Sequence, residues 1–141
     1  MIGATRLGPG ERRAAIAAPA EADGFVSRWY PVGKLRLHVR QRRSAGSTAT
    51  PCVLLHGLAV SHRYLMPTAR CLEQRSIYVP DLPGFGLSSK PNRILDIDQH
   101  VDVLAALFDT LRVGPAAILG NSFGCQVAVE WLGGARTWSV R

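Results

Sequence analysis

No stretch of this sequence approaches the roughly 20 consecutive apolar residues of a membrane span, which excludes a helical anchor within it. Cysteine is scarce. Cys52, Cys71 and Cys125 form an odd set with no close-pair spacing, so neither a disulfide framework nor a zinc site is expected. A reducing, cytoplasmic setting fits, with the thiols as small buried apolar groups. Acidic residues are few, 10 against 17 basic, for a net charge of +7. Residues 1–43 hold nine of the basic and three of the acidic residues, so the excess belongs to the N-terminal part and lines no groove. With no aromatic-basic interleaving beside it, nucleic-acid binding is not expected. Histidine is absent beyond His100, and the only acidic residue after Ser122 is Glu130. That scarcity bears directly on function.

What is present reads as one α/β domain. Residues 1–24 are rich in Ala, Gly, Pro and Arg without periodicity and are expected to form a disordered extension. Arg12-Arg13 precedes too short and too weak an apolar segment for a secretory signal. "RWYPVGKLRLHVR" suggests a hairpin turning at Gly33-Lys34, with Leu35, Leu37 and Val39 on the buried face. His38 falls on the opposite, polar side and is expected to be solvated. "CVLLHG" and "SIYVPD" are short apolar runs suited to buried parallel strands. Between them a helix is expected over residues 61–74, with Pro67 near its start or kinking it. "DIDQHVDVLAALFDTL" spaces Ile97, Val101, Leu104, Ala105, Phe108 and Leu111 along one helical face. Asp96 or Asp98 is the expected cap. "AAILG" is a third buried strand, followed by a helix from Phe123.

A hairpin followed by alternating strands and helices predicts a mostly parallel sheet with helices on both faces. Ligands of such sheets bind beyond the carboxyl ends of the strands. His56-Gly57, Asp81 and Ser122 all fall there. In Gly120-Asn121-Ser122-Phe123-Gly124 a strand gives way to a helix through a serine flanked by glycines. A turn that sharp strains the serine and leaves no room for β-carbons at Gly120 and Gly124. The helix beginning at Phe123 aims free amide groups at the same place. More modest roles are expected elsewhere: His56 as a loop organiser, Asp81 as a cap for "LPGFG", and His62 and His100 as solvated helix residues.

Taken together, "LLHGLAVSHRY", "VPDLPGFGLSS" and "LGNSFG" resemble, in order and interval, the α/β-hydrolase superfamily, and "VGKLRLHVR" resembles its first hairpin. The resemblance spans residues 28–131 and implies the N-terminal part of an α/β-hydrolase core. It implies Ser122 as the nucleophile, with oxyanion amides from Leu58 and Phe123. His56 and Gly57 shape the oxyanion loop, and Gly120 and Gly124 support the elbow. Asn121 resembles the elbow of carbon–carbon bond hydrolases and of other subfamilies. A small-molecule ester, lactone, amide or carbon–carbon substrate is implied, with no metal, organic cofactor, nucleic acid or membrane.

The family places its catalytic acid and histidine after the serine, where this sequence has no histidine. The chain therefore reads as the N-terminal half of a hydrolase, residues 25–141, with "GGARTWSVR" consistent with a frameshift or premature stop. The alternative is a catalytically inactive fragment or a partner-binding half-domain. Self-association is expected through the strand ending at Gly120, which would form an exposed sheet edge. A dinucleotide-binding domain would also alternate strands and helices, but it needs a Gly-X-Gly-X-X-Gly turn after an early strand.

Overall fold

The computed structural model describes residues 23–134. Apart from Asp23 and Gly24, the expected N-terminal extension lies outside them, as do residues 135–141. Five strands and three helices follow in order: β1 (Val26–Val32), β2 (Leu35–Arg42), β3 (Cys52–Leu55), α1 (His62–Cys71), β4 (Ile77–Pro80), α2 (Ile97–Leu111), β5 (Ala117–Gly120) and α3 (Phe123–Gly133). The strands form one sheet in the order β1-β2-β4-β3-β5. β1 and β4 pair antiparallel to β2, while β3 runs parallel to both β4 and β5. Four of the five strands thus point the same way.

Successive strand residues face opposite sides, and here each side has its own core. Val53, Leu55 and Tyr78 pack with Leu104, Phe108 and Trp131 of α2 and α3. Cys52, Leu54, Ile77 and Val79 pack with Leu65, Met66 and Ala69 of α1. Cys52 is buried, as expected, whereas Cys71 and Cys125 are exposed. Among the described residues, no helix is long and apolar enough to cross a membrane.

Local chemistry explains the helix limits. Ser61 caps α1, but the helix stops at Cys71, short of the expected Gln74, and Gln74 itself takes a φ of 61°. Pro67 lies inside α1 rather than at its start. Asp96 caps α2 in a reciprocal box with Gln99, each side chain accepting from the other's backbone amide. Such boxes satisfy two otherwise orphaned amides.

His38 departs from expectation. Its register position, opposite the hydrophobic face of β2, is as the alternation predicts, yet it is fully buried. β2 is an interior strand, and the side turned away from Leu37 and Val39 is closed by Trp29 and by His62 at the head of α1. Alternation identifies faces; it does not reveal that both are covered. β5 is paired with β3 alone among the described residues. Its residues are exposed or half-buried, with Leu119 37% exposed.

Candidate active site

Ser122 stands between β5 and α3 with φ 51° and ψ −116°, backbone angles that L-residues rarely adopt. Holding a residue there costs on the order of 1–3 kcal/mol and requires support from the surroundings. Asn121 N donates to Leu55 O at 2.9 Å, tying the turn to the end of β3. Gly124 N and Cys125 N donate to Asn121 O and Ser122 O, both at 2.8 Å. A β-carbon on Gly120 would lie 2.6 Å from Gly124 O. One on Gly124 would overlap the carbonyl of Leu55. Both glycines are therefore steric requirements of the turn. Ser122 itself is exposed, and its side chain caps nothing.

The loop after β3 lies against this turn. A β-carbon on Gly57 would sit 3.2 Å from Ser122 Cβ and 3.1 Å from Asn121 Oδ1. Leu58 and Phe123 line a common cleft of about 550 Å³, walled by Pro83, Phe85, Leu95 and His100. Phe123 N belongs to the first turn of α3, where amides have no partner within the helix.

His56 is tied into this loop through both ring nitrogens. Leu82 N donates to Nε2 at 2.9 Å, so the ring's hydrogen sits on Nδ1, which donates to Gly57 O at 2.7 Å. One ring thus joins the end of β3 to the segment after β4. Burial pushes its pKa below the usual histidine value, against the raising effects of Gly57 and Asp81. Nε2 also lies 3.9 Å from Asp81 Oδ1, but it carries a lone pair there, and this contact is no ion pair.

Asp81 is the hub beneath the site. It accepts from Leu87 N at 2.9 Å, which is the expected loop cap. It also accepts from His38 Nδ1 at 2.9 Å, from His62 N at 2.6 Å and from His62 Nδ1 at 2.9–3.0 Å. Burial alone would raise its pKa, but the hydrogen bonds from His38 and His62 outweigh that and hold the carboxyl well below the usual range. His38 is shifted down in turn, burial prevailing over Asp81. The Ser88 hydroxyl completes the hub, donating to Asp81 O at 2.6 Å and accepting from His38 N at 2.9 Å.

His62 and His100 were both expected on solvated helix faces, and both are buried. His62 is the first residue of α1 and turns its ring inward to Asp81. His100 packs edge-on against Phe123 with ring centroids 5.2 Å apart, and its Nδ1 donates to Asp96 O at 2.8 Å. The potential ligand atoms of His38, His62 and Asp81 lie within 4.8 Å of one another. Their 2.9–3.0 Å separations are those of hydrogen bonds from ring N–H groups to a carboxylate. A cation would have to displace both ring hydrogens, and the set behaves as a clamp joining β2, β4 and α1. None of the four histidines is hydrogen-bonded to the Ser122 hydroxyl among the described residues; their bonded ring nitrogens all face other partners.

A mostly parallel sheet with a strained serine at the head of a helix, packed against the turn after β3, defines a hydrolase-type architecture. A family model described as the alpha/beta hydrolase fold matches residues 50–135, and the chain belongs to that family. Among curated relatives, it is 31% identical to 2-(acetamidomethylene)succinate hydrolase of Mesorhizobium japonicum, over 81% of this chain and 40% of that one. It is 34% identical to a haloalkane dehalogenase of Mycobacterium marinum, over 68% of this chain and 34% of the relative. The crystal structure of Cfl2 from Burkholderia cenocepacia superposes with a TM-score of 0.72 at 28% identity, covering 77% of this chain and 36% of that one. The chain spans 40% or less of the length of these relatives.

Proposed function

We propose that Ser122 is the nucleophile of an acyl-transfer hydrolase, with the amides of Leu58 and Phe123 receiving the charge that develops on the substrate oxygen. The observation that carries this reading is the conformation of Ser122. A serine kept exposed at φ 51° and ψ −116°, between two glycines that cannot be enlarged, has no structural use that an ordinary turn would not serve better. Chemistry narrows the substrate. A serine that displaced a halide would be left as an ether, which water does not readily cleave, whereas an acyl-serine is an ester and turns over. Ester, lactone, amide or activated carbon–carbon cleavage therefore fits this elbow better than dehalogenation, despite the dehalogenase among the relatives. Removing one oxyanion donor typically costs about 2.7–4 kcal/mol of transition-state stabilisation, so the Gly57-Leu58 turn would be part of the machinery.

The general base is none of His38, His56, His62 and His100 in this reading, because their hydrogen bonds serve the fold. It must come from outside the described residues. The second reading follows from that: the 141-residue chain by itself holds the oxyanion and elbow half of the site and turns over no substrate. Prolonged treatment with a fluorophosphonate probe, followed by peptide mass mapping, tests the nucleophile. A slow adduct on Ser122 that disappears in Ser122→Ala is expected. Labelling confined to other serines, or a rapid burst of product from an activated ester, would contradict the first or the second reading respectively.

A further inference from the structure

Strands β1, β2 and β4 bring a second serine into line with a histidine and a carboxylate, and the elbow takes no part. In the register of the hairpin, Ser27 lies opposite Arg40 and Trp29 opposite His38. Ser27 and His38 are therefore diagonal neighbours on one face of the sheet, within reach of a ring side chain. His38 Nδ1 lies 2.9 Å from Asp81 Oδ2, and its Nε2 lies 2.9 Å from Ser27 Oγ. An ionised carboxylate only accepts, so the ring hydrogen sits on Nδ1 and Nε2 offers a lone pair. The Ser27 hydroxyl must donate to it. Its proton thus points at a neutral imidazole whose tautomer Asp81 fixes.

Exposure divides the three groups by role. His38 and Asp81 are fully buried, whereas Ser27 is half-buried on a strand at the edge of the sheet. Base and orienting carboxylate are shielded from water while the hydroxyl is partly open to it. Nucleophile, base and orienting group, each within hydrogen-bond reach of the next, form the arrangement that activates a serine. Arg40 joins them, its Nη1 donating to Ser27 Oγ at 3.3 Å. One lone pair of the oxygen takes that bond, and the other is left for attack. A guanidinium in that place also favours negative charge on an incoming group.

We propose that Ser27 is an acylation site for small acyl phosphates, with His38 as general base, Asp81 as its positioning residue and Arg40 facing the phosphate. His38 Nε2 takes the Ser27 proton as Oγ bonds to the acyl carbon. The bond from that carbon to the phosphate oxygen breaks, and the proton passes from His38 to the departing phosphate. The products are an O-acyl serine and inorganic phosphate. This chemistry is independent of Ser122.

The probe is acetyl phosphate, incubated with the 141-residue chain and followed by peptide mass mapping. An acetyl group on Ser27 is expected, removed by hydroxylamine as an ester is and an acetyl-lysine is not. Ser122→Ala should acquire it equally, Ser27→Ala should lose it, and Ser27→Cys should carry a thioester at the same position. His38→Gln should slow the reaction about a hundredfold, the low end of general-base catalysis. Arg40→Gln should slow acetyl phosphate more than the uncharged donor 4-nitrophenyl acetate. Should His38→Gln fail to fold, the pH profile of the unaltered chain decides. His38 faces Asp81 of β4, His62 of α1 and Arg40 of β2, and burial holds its pKa below the ordinary 6.5. The ring is neutral above that value, so the rate at Ser27 should level off there and fall on acidification below it. An unmodified Ser27, a His38→Gln variant as fast as the parent, or a rate that climbs without levelling would each overturn the proposal. Equal slowing of the two donors by Arg40→Gln would overturn the acyl phosphate class. An acetyl ester confined to Ser122 would sink Ser27 and leave the elbow reading standing, whereas a fluorophosphonate that misses Ser122 would do the reverse.

Discussion

Gly124 lies directly against the carbonyl group of Leu55, so that helix α3 meets the end of strand β3 with no side chain between them. The contact is between backbones, and Gly124 N and Asn121 N are already engaged on either side of it. Relaxation by rotamer change is therefore not available. Gly124→Ala should force α3 away from the sheet and cost about 1–3 kcal/mol, the usual range for overpacking a tight interior. A urea melt that matched the parent within experimental error would mean that the turn has slack which the contact does not reveal. Gly133 is the internal comparison: it has open space around it, and an alanine there should be tolerated.

Stability should fall with acid, for reasons fixed by the buried groups. His38 and His56 have folded-state pKa values below the ordinary 6.5, chiefly through burial. The unfolded chain therefore binds protons more readily than the folded one as pH falls through that value. Their contribution is fully present above pH 6.5 and is lost as pH drops towards their folded values. Asp81 adds a second, lower window. Its carboxyl is also shifted down, so its contribution holds above the ordinary 3.8 and is lost on further acidification. Urea midpoints should decline from pH 8 to pH 5, and the ring resonances of His38 and His56 should titrate below 6.5. A midpoint that rose on acidification would show that Asp81 holds the two rings charged instead.

Much of the scaffold could be read from local chemistry, and most of the clamp could not. The alternation of Leu35, Leu37 and Val39 identifies a strand face because pleating is a property of neighbouring residues. Asp96 with Gln99 marks a helix start for the same reason, and Gly120 and Gly124 mark the elbow. His38 and Asp81 are 43 positions apart, and they meet only because β4 inserts beside β2 while β3 lies beyond it. No pattern within either segment encodes that neighbour relation. His62 carries no such signal either, because a helix's first residue can turn inward to a carboxylate as readily as outward to water. For His100 one signal was available: it falls one position before Val101 and four before Leu104, on the flank of the apolar stripe, where partial burial is the rule.

The outer edge of β5 sets the last expectation. β5 contributes Ala117, Ile118, Leu119 and Gly120, and it is hydrogen-bonded to β3 on one side only among the described residues. Beside it, α3 exposes Val129 and Leu132 at 70% and 74%. An apolar strand with a free row of backbone donors and acceptors is a template for another strand, and adjacent exposed apolar side chains extend the surface that pairing would bury. The 141-residue chain should self-associate through this edge, with sedimentation velocity showing a weight-average coefficient that climbs with concentration. Leu119→Lys places a charge on the edge at a residue already 37% exposed, the kind of feature that discourages edge pairing. It should move the population towards monomer with little change in the urea midpoint. Tyr64→Lys serves as the control, since Tyr64 is also exposed but lies on α1, across the sheet from α3, and it should leave the association unchanged. A parent chain that sediments as a monomer at every concentration, or a Tyr64→Lys variant as effective as Leu119→Lys, would place the association elsewhere or remove it.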